Sequence, residues 1–267
     1  MFPLKLGMAG AAIATALSQV GGFGLYAHRL RKRKLLPQPN DVSTVKAKEV
    51  VSAIASANLA CMLKQGSMLI FYTMATALAT RMGPMHVAAH QIALSFWWLI
   101  TFWLDSGSVS GQVLMAKSTG NTHQTKSLVN YMLKYAAVQG IAFTSIVAAV
   151  AKVLPLLFTQ DPTITLLLHQ ILPFVAVQQV LVSLCLVLEG LAIGANQFRH
   201  MAVGTAVATG LGLWKLLQAT SVVDIWGTAV TTFFGARLVN AALAVAKTQF
   251  RQPTTPATIS TATAAQA

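Results

Sequence analysis

Charged residues are scarce in this sequence, and acids are the scarcest of them. Only 9% of the 267 residues are charged and 6 are Asp or Glu, whereas about 25% of the residues of a soluble domain carry a charge. Hydrophobic residues make up 55% of the chain, and the mean hydropathy is +0.63. This balance excludes an ordinary soluble domain and indicates an integral, multi-pass membrane protein.

Cysteines and catalytic motifs are equally few. The two cysteines, Cys61 and Cys185, lie inside apolar segments without partner spacing, which predicts buried free thiols. His86 and His90 stand one helical turn apart, but no third ligand is evident, so no metal site is predicted. The chain has no phosphate-binding glycine loop and no GxSxG motif. The sequence therefore predicts neither an enzyme nor a protein with a bound cofactor.

Positive charge is unevenly distributed along the chain. The net charge is +13, but much of the excess lies in one short loop that begins HRLRKRK and separates two apolar segments. We therefore expect no nucleic-acid partner. Basic loops of membrane proteins lie on the cytoplasmic side. This loop and the C-terminal tail are predicted to share that side, or its equivalent in an organelle.

The apolar segments predict an all-α polytopic fold with about seven transmembrane helices. Each segment is close to or above the length of about 20 residues that crosses a bilayer. The predicted spans are about 6–27, 50–79, 86–116, 128–154, 164–193, 201–217 and 225–246.

Lys134, Lys152 and Lys215 are counted with the loops next to them, which leaves two acids and two bases inside the spans, namely Lys64, Asp105, Glu189 and Arg237. A charge in hydrocarbon costs several kcal/mol, so each is expected to face the protein interior or a wet cavity. Two interpretations remain open. The charges pair with one another and only stabilise the bundle, or a carboxylate takes up and releases a proton, as coupling a proton gradient to a solute requires.

Helical spacing places further polar side chains on the same faces as these charges. In the third span, polar residues recur every three or four positions through Asp105, and Gln178, Cys185 and Asn196 share a face with Glu189. Such faces are typical of a helix bundle around a polar path. The predicted cavity-lining residues are Gln65, Gln91, Trp98, Thr101, Ser108, Gln112, Gln178 and Asn196.

Several stretches together resemble a known family. LGMAGAAIATALSQ, RMGPMHVAAHQ, LEGLAIGANQFRHMA and IWGTAVTTFFGARLVNA occur in this order, and the chain is similar to the multidrug and toxic compound extrusion (MATE) family, nearest to its plant and algal branch. The resemblance implies a twelve-helix fold of two six-helix lobes that alternate access to a central cavity. It also implies antiport of an organic solute against protons or sodium.

The resemblance assigns each part of the chain to that fold. Residues 1–27 look like the last helix of the N-terminal lobe, and 28–49 like the basic cytoplasmic-side loop between the lobes. Residues 50–248 look like the six-helix C-terminal lobe, followed by a disordered tail at 249–267. The chain would then be one lobe plus one preceding helix. The glutamate that some branches carry on the seventh helix has no counterpart here, where Lys64 is the nearest ionisable residue.

The function implied is a secondary active antiporter that exports an organic solute or xenobiotic, present here as a fragment. One alternative is a non-transporting membrane subunit or an inert half-transporter, and another is a lipid flippase of the wider superfamily. The expected partners are the lipid bilayer, an organic small-molecule substrate, and a missing N-terminal lobe or partner half. The expected location is the plastid envelope, with the plasma or vacuolar membrane as alternatives.

Overall fold

A computed structural model of the chain describes residues 7–33, 47–118 and 122–250. Across these residues the secondary structure is helical, and no β-strand occurs among them. The chain divides into two compact units, Met1–Ala55 and Ser56–Ala267. The all-α prediction is therefore confirmed for the part of the chain that the structure describes.

The first unit contains one complete helix, α1 (Gly7–Lys32). This helix continues past the predicted end of the first span at residue 27 and takes in the first residues of the predicted loop. Its last turn carries Arg29, Arg31 and Lys32, and cations there are favoured by the partial negative charge at a helix C-terminus. The middle of the predicted basic loop, 34–46, lies outside the described residues.

Helix α2 begins in the first unit and continues into the second, which holds all the later elements. In chain order they are α2 (Ala47–Arg81), α3 (Pro84–Ser118), α4 (Thr122–Val150), α5 (Leu154–Phe158), α6 (Pro162–Gly194), α7 (Phe198–Leu217), α8 (Val222–Asp224), a π-helical segment (Ile225–Val230) and α9 (Thr231–Phe250). The last three follow one another without a break. Residues 249 and 250 of the predicted tail are thus helical, and the rest of the tail lies outside the described residues.

Five helical stretches among the described residues are long and apolar enough to cross a membrane. They are Ile54–Arg81, Pro84–Ser118, His123–Val150, Pro162–Gly194 and Val222–Thr248. Helices α1 and α7 also form where spans were predicted. In α7, basic residues near both ends, Arg199 and Lys215, lower the mean hydropathy.

Helix α6 is the central element of the second unit, with two-thirds of its most apolar stretch buried. It packs against α3, α4 and α9. The contact with α3 is close because α6 carries Gly190 and Gly194 there: a Cβ atom on either would collide with the carbonyl oxygen of Ser108 or Gln112. A backbone approach of this kind is typical of membrane helices that meet at small residues.

Side chains hold the remaining helices around α6. The Phe71 ring of α2 stacks on the Phe233 ring of α9, with 4.2 Å between centroids. Gly204 of α7 lies directly against the Asn240 side chain of α9. Asp161 caps α6 by accepting hydrogen bonds from the backbone N–H groups of residues 163 and 164.

Candidate functional site

Glu189 and Arg237 form a buried ion pair between α6 and α9. The Nε of Arg237 lies 2.8 Å from Oε1 of Glu189, and its Nη2 lies 2.9 Å from Oε2. Each residue is only 1% exposed. Two parallel N–H···O bonds are the strongest arrangement open to these groups. The pair therefore fixes the position of α6 relative to α9.

Lys64 adds a second cation to the same carboxylate. Its Nζ lies 2.7 Å from Oε2 of Glu189, and its side chain is 15% exposed. Lys64, Glu189 and Arg237, hereafter the ion cluster, tie α2, α6 and α9 together. One acid and two bases give the cluster a formal net charge of +1. Lys64 is the member through which the cluster reaches the surface of the unit.

The guanidinium group of Arg237 also packs on two aromatic rings of its own helix. Its Cζ lies 5.1 Å from the centroid of Phe233 and 4.8 Å from that of Phe234. These residues precede Arg237 by four and three positions, which places all three on one helix face. The Nη1 atom of Arg237 is buried and has no hydrogen-bond partner among the described residues. The cluster thus keeps one free donor in a buried position.

Tyr72 and two tryptophans of α3 lie beside the ion cluster. The Tyr72 ring lies 6.1 Å from Phe233, 5.8 Å from Trp97 and 5.3 Å from Trp98, measured between centroids. The Tyr72 hydroxyl is buried and unpartnered in the described part of the chain. Trp98 is half-buried. Aromatic residues of three helices therefore border the charged groups.

Asp105 does not join the ion cluster. It lies on α3 and is exposed, as are Gln91 and Gln112 of the same helix. We call these three residues the α3 stripe. The sequence left open whether both acids pair with both bases, and the structure brings together only three of the four ionisable residues. The carbonyl oxygen of Gln112 lies at the contact with Gly194 of α6, so the α3 stripe runs beside the packed face of α3 with its side chains left uncovered.

The other predicted lining residues have varied environments. Gln65 is exposed and Ser108 is half-buried, whereas Thr101 is 7% exposed and donates a hydrogen bond to the carbonyl oxygen of Trp97 at 2.8 Å. Donation to a carbonyl four residues earlier satisfies the hydroxyl within its own helix. Thr101 therefore contributes little polarity to any open surface.

Two residues assigned to the helical face of Glu189 do not line an open surface of α6. Asn196 lies beyond the end of α6 at Gly194, in a turn with φ of 62°, and asparagine adopts this left-handed conformation more readily than most residues. Gln178 is 3% exposed and donates to the carbonyl oxygen of Trp226 and to Oγ1 of Thr231. It joins α6 to the π-helical segment and faces no open surface.

The cysteine and histidine side chains have different degrees of burial. Both cysteines are free thiols as predicted, but Cys61 is exposed and only Cys185 is buried, with Sγ 3.7 Å from Oε1 of Glu189. His90 is buried with Nε2 3.3 Å from the Thr76 hydroxyl. Within residues 7–33, 47–118 and 122–250, no three His, Cys, Asp or Glu side chains lie close enough together to hold a metal ion.

Sequence reasoning missed the aromatic border of the cluster. Phe233 and Phe234 stand one helical turn before Arg237, and this spacing was the available signal. Tyr72 follows Lys64 by two turns of α2, so the helical period could have placed it on the same face. Neither spacing pattern, however, shows which helices pack against each other.

A bundle of long apolar helices around a buried ion cluster defines a multi-pass membrane protein. Residues 53–214 match the MatE family, and the chain belongs to that family. The resemblance inferred from the sequence motifs is thereby confirmed.

Several plant proteins are similar to this chain. Protein DETOXIFICATION 45, chloroplastic, of Arabidopsis thaliana is 29% identical over 90% of this chain and 43% of its own length. DETOXIFICATION 43 and DETOXIFICATION 44, chloroplastic, of the same plant are 27% and 26% identical, each over 90% of this chain and over 45% and 46% of their own lengths. The chain therefore spans about half the length of the curated relatives it matches.

A solved structure supports the fold independently. A MOP superfamily transporter from Pyrococcus furiosus superposes with a TM-score of 0.58 at 13% sequence identity. The match covers 73% of this chain and 43% of that protein. At this identity the likeness shows a shared fold.

Proposed function

We propose that this chain supplies one lobe of a secondary active antiporter, which exports an organic solute in exchange for protons or sodium. Membership of the MatE family and the MOP-type fold support this proposal. The single observation that carries it is the ion cluster, because buried charges in membrane helices are costly and mark ion or substrate paths. The other lobe would come from further chain or from a partner half.

The cluster links the charge of Glu189 to solute contact. Both oxygens of the Glu189 carboxylate bond to cations, and Lys64 is the partly exposed one. A proton on Glu189 removes the negative charge that holds Lys64 in place. Lys64 is then free to contact a ligand in the cavity, and loss of the proton draws it back. Protonation of Glu189 and solute contact at Lys64 are thus coupled through one ion pair, whereas the direction of exchange is proposed from membership of the family.

The charge of the cluster favours an anionic group on the solute. Two bases face one acid, and Nη1 of Arg237 and the hydroxyl of Tyr72 are buried donors without partners among the described residues. A buried uncompensated charge costs several kcal/mol. A carboxylate or similar group beside Lys64 would neutralise it. The aromatic rings of Tyr72 and Trp98 would contact the apolar part of the same solute.

The location that fits these relationships is a plastid envelope. Two of the similar Arabidopsis proteins are named as chloroplastic. Fractionation of organelles followed by immunodetection with an antibody against residues 252–267 tests this part of the proposal. Detection only in plasma or vacuolar membranes would contradict it.

Transport in proteoliposomes tests the proposed activity. The full-length product of the gene is reconstituted with an imposed proton or sodium gradient, and uptake of radiolabelled organic anions and cations is measured. Glu189→Gln should abolish gradient-driven uptake, because the amide cannot alternate between charge states. Glu189→Asp keeps the charge and should retain part of the uptake.

The rival function, a membrane subunit that only packs, makes a different prediction. In that case Glu189→Gln would lower thermal stability, and the wild-type protein would show no gradient-driven uptake of any tested solute. If the Glu189→Gln variant took up solute at the wild-type rate and with the same dependence on the gradient, transport would be real. The proposed coupling role of the cluster would then be contradicted.

A further inference from the structure

Helices α7 and α9 form an open groove on the surface of the second unit. Gly204 contacts Asn240, and Gly212 lies against Phe233, so the two helices run antiparallel. The groove has a volume of about 440 Å³ and is lined almost entirely by apolar side chains, with Val207 as one of its exposed residues. From residue 200 to residue 211 it follows α7 for about 16 Å at the helical rise of 1.5 Å per residue.

One end of this groove is basic. Antiparallel packing brings Arg199 and His200, at the start of α7, to the same end as Lys247 in the last turn of α9. Arg199 and Lys247 are exposed, and neither α7 nor α9 contains an acid. Nε2 of His200, a residue that lines the groove, is buried and lacks a hydrogen-bond partner in the described part of the chain. The mouth therefore offers several donors, and neither of its two helices supplies a competing carboxylate.

We propose that this groove is a binding site for an anionic phospholipid. One acyl chain lies along the apolar groove, and the phosphate lies at the basic mouth, where Arg199 and Lys247 bind it. Basic pockets between membrane helices on the cytoplasmic side bind anionic headgroups in this way, and the positive-inside rule predicts that side for a mouth that carries Arg199 and Lys247. The site is separate from the ion cluster and does not depend on the proposed transport activity.

The geometry distinguishes such a site from ordinary contact with lipid. Any membrane-facing helix contacts acyl chains, but a general contact does not discriminate between headgroups. Here the apolar groove and the cations adjoin each other, so the same bound molecule satisfies both. We therefore expect selectivity for headgroup charge as well as retention of the lipid during purification.

Native mass spectrometry of the purified full chain tests this selectivity. The probes are phosphatidylglycerol and phosphatidylcholine with identical acyl chains. The wild-type protein should retain phosphatidylglycerol roughly tenfold better, because the two exposed bases attract its anionic headgroup. The double variant Arg199→Gln, Lys247→Gln should bring the two lipids close to parity. The matched control Lys126→Gln, Lys134→Gln on α4 removes two exposed bases outside the mouth and should keep the preference.

A second pair of variants tests the groove itself. Val207→Trp places a bulky side chain where the acyl chain lies and should lower retention of both lipids several-fold. Val138→Trp, at an equally exposed apolar position on α4, should not. Unchanged helicity by circular dichroism and a single elution peak establish that each variant folds. Equal retention of the two lipids by the wild type, or a preference that survives the double substitution at the mouth, would overturn the proposal.

Photo-crosslinking in native membranes distinguishes lipid from a protein that covers the same face. A photoreactive phenylalanine at Val239, an exposed residue of the groove, should capture phospholipid, identified by mass after digestion. Crosslinks to another protein segment at this position, without captured lipid, would show that the groove is an interface between polypeptides and would contradict the lipid site.

Discussion

The ion cluster and the α3 stripe are both polar in apolar helices, yet their environments are opposite. Glu189 is 1% exposed and bonded to two cations, whereas Asp105 is exposed, as are its neighbours on the stripe. The bundle thus pairs internally the one acid that the cluster buries. The stripe has to meet water, a ligand or another protein segment, because a carboxylate facing lipid would be costly.

The ion cluster holds helices together, whereas the α3 stripe is an exposed polar surface. Removing one partner of a buried ion pair leaves an uncompensated charge, which costs far more than the pair contributes when intact. Removing an exposed charge leaves nothing uncompensated. Substitutions should therefore fall into two groups. Those in the ion cluster, or at the helix contact beside it, should lower stability. Those in the α3 stripe should change transport and leave stability unaltered.

The largest effect is expected from Arg237→Met. This change leaves the Glu189 carboxylate buried with Lys64 as its remaining cation and should cost about 3–5 kcal/mol of stability. Thermal unfolding of the protein in detergent, followed by circular dichroism, measures the loss. The triple variant Lys64→Met, Glu189→Gln, Arg237→Met removes all three charges of the cluster and should recover at least half of it. The double variant Glu189→Gln, Arg237→Met, which leaves Lys64 without its carboxylate, should recover less. If removing the other charges of the cluster recovered none of the stability lost in Arg237→Met, Arg237 would stabilise the protein through packing alone.

The next largest effect is expected from Gly190→Val, next to Glu189. Its side chain would collide with the carbonyl oxygen of Ser108 and push α3 away from α6, at a cost of about 3 kcal/mol. Gly66→Ala is the matched control, because nothing lies within 4 Å of its Cβ position, and alanine in a helix interior should stabilise by about 0.5–1 kcal/mol. Equal melting temperatures for the two variants would contradict the close contact of α3 with α6.

A smaller loss is expected from Lys64→Met. The Glu189–Arg237 pair stays intact and neutral, so only one charged hydrogen bond of a partly exposed side chain is lost, or about 1–2 kcal/mol. Lys64→Arg keeps the charge and should retain most of the stability. If Lys64 contacts the solute, Lys64→Met should also weaken binding of organic anions, measured as thermal stabilisation of the protein by added ligand. Equal stabilisation of wild type and variant would argue against that contact.

The sequence predicted the buried charges but not their partners. Hydropathy was sufficient to find the apolar helices and the four ionisable residues inside them, since both are local properties of the chain. The helical period also placed Cys185 near Glu189 correctly. The pairing of Glu189 with Arg237 depends on the register between α6 and α9, which no local pattern encodes. Asn196 was misplaced because a period cannot show where a helix ends, and the π-helical segment was not predicted.

The smallest effect on stability is expected from Asp105→Asn, which changes the α3 stripe and leaves the ion cluster intact. The amide has nearly the same shape, and an exposed substitution should change stability by no more than about 0.5 kcal/mol. If the α3 stripe lines the path of the solute, loss of the charge should lower transport roughly tenfold, the equivalent of about 1.4 kcal/mol in the barrier. Ser110→Ala, an exposed change on the same helix away from the stripe, should leave transport unaltered. Transport at the wild-type rate in Asp105→Asn would remove the stripe from the path, and a large loss of stability would mean that another segment covers Asp105 in the membrane.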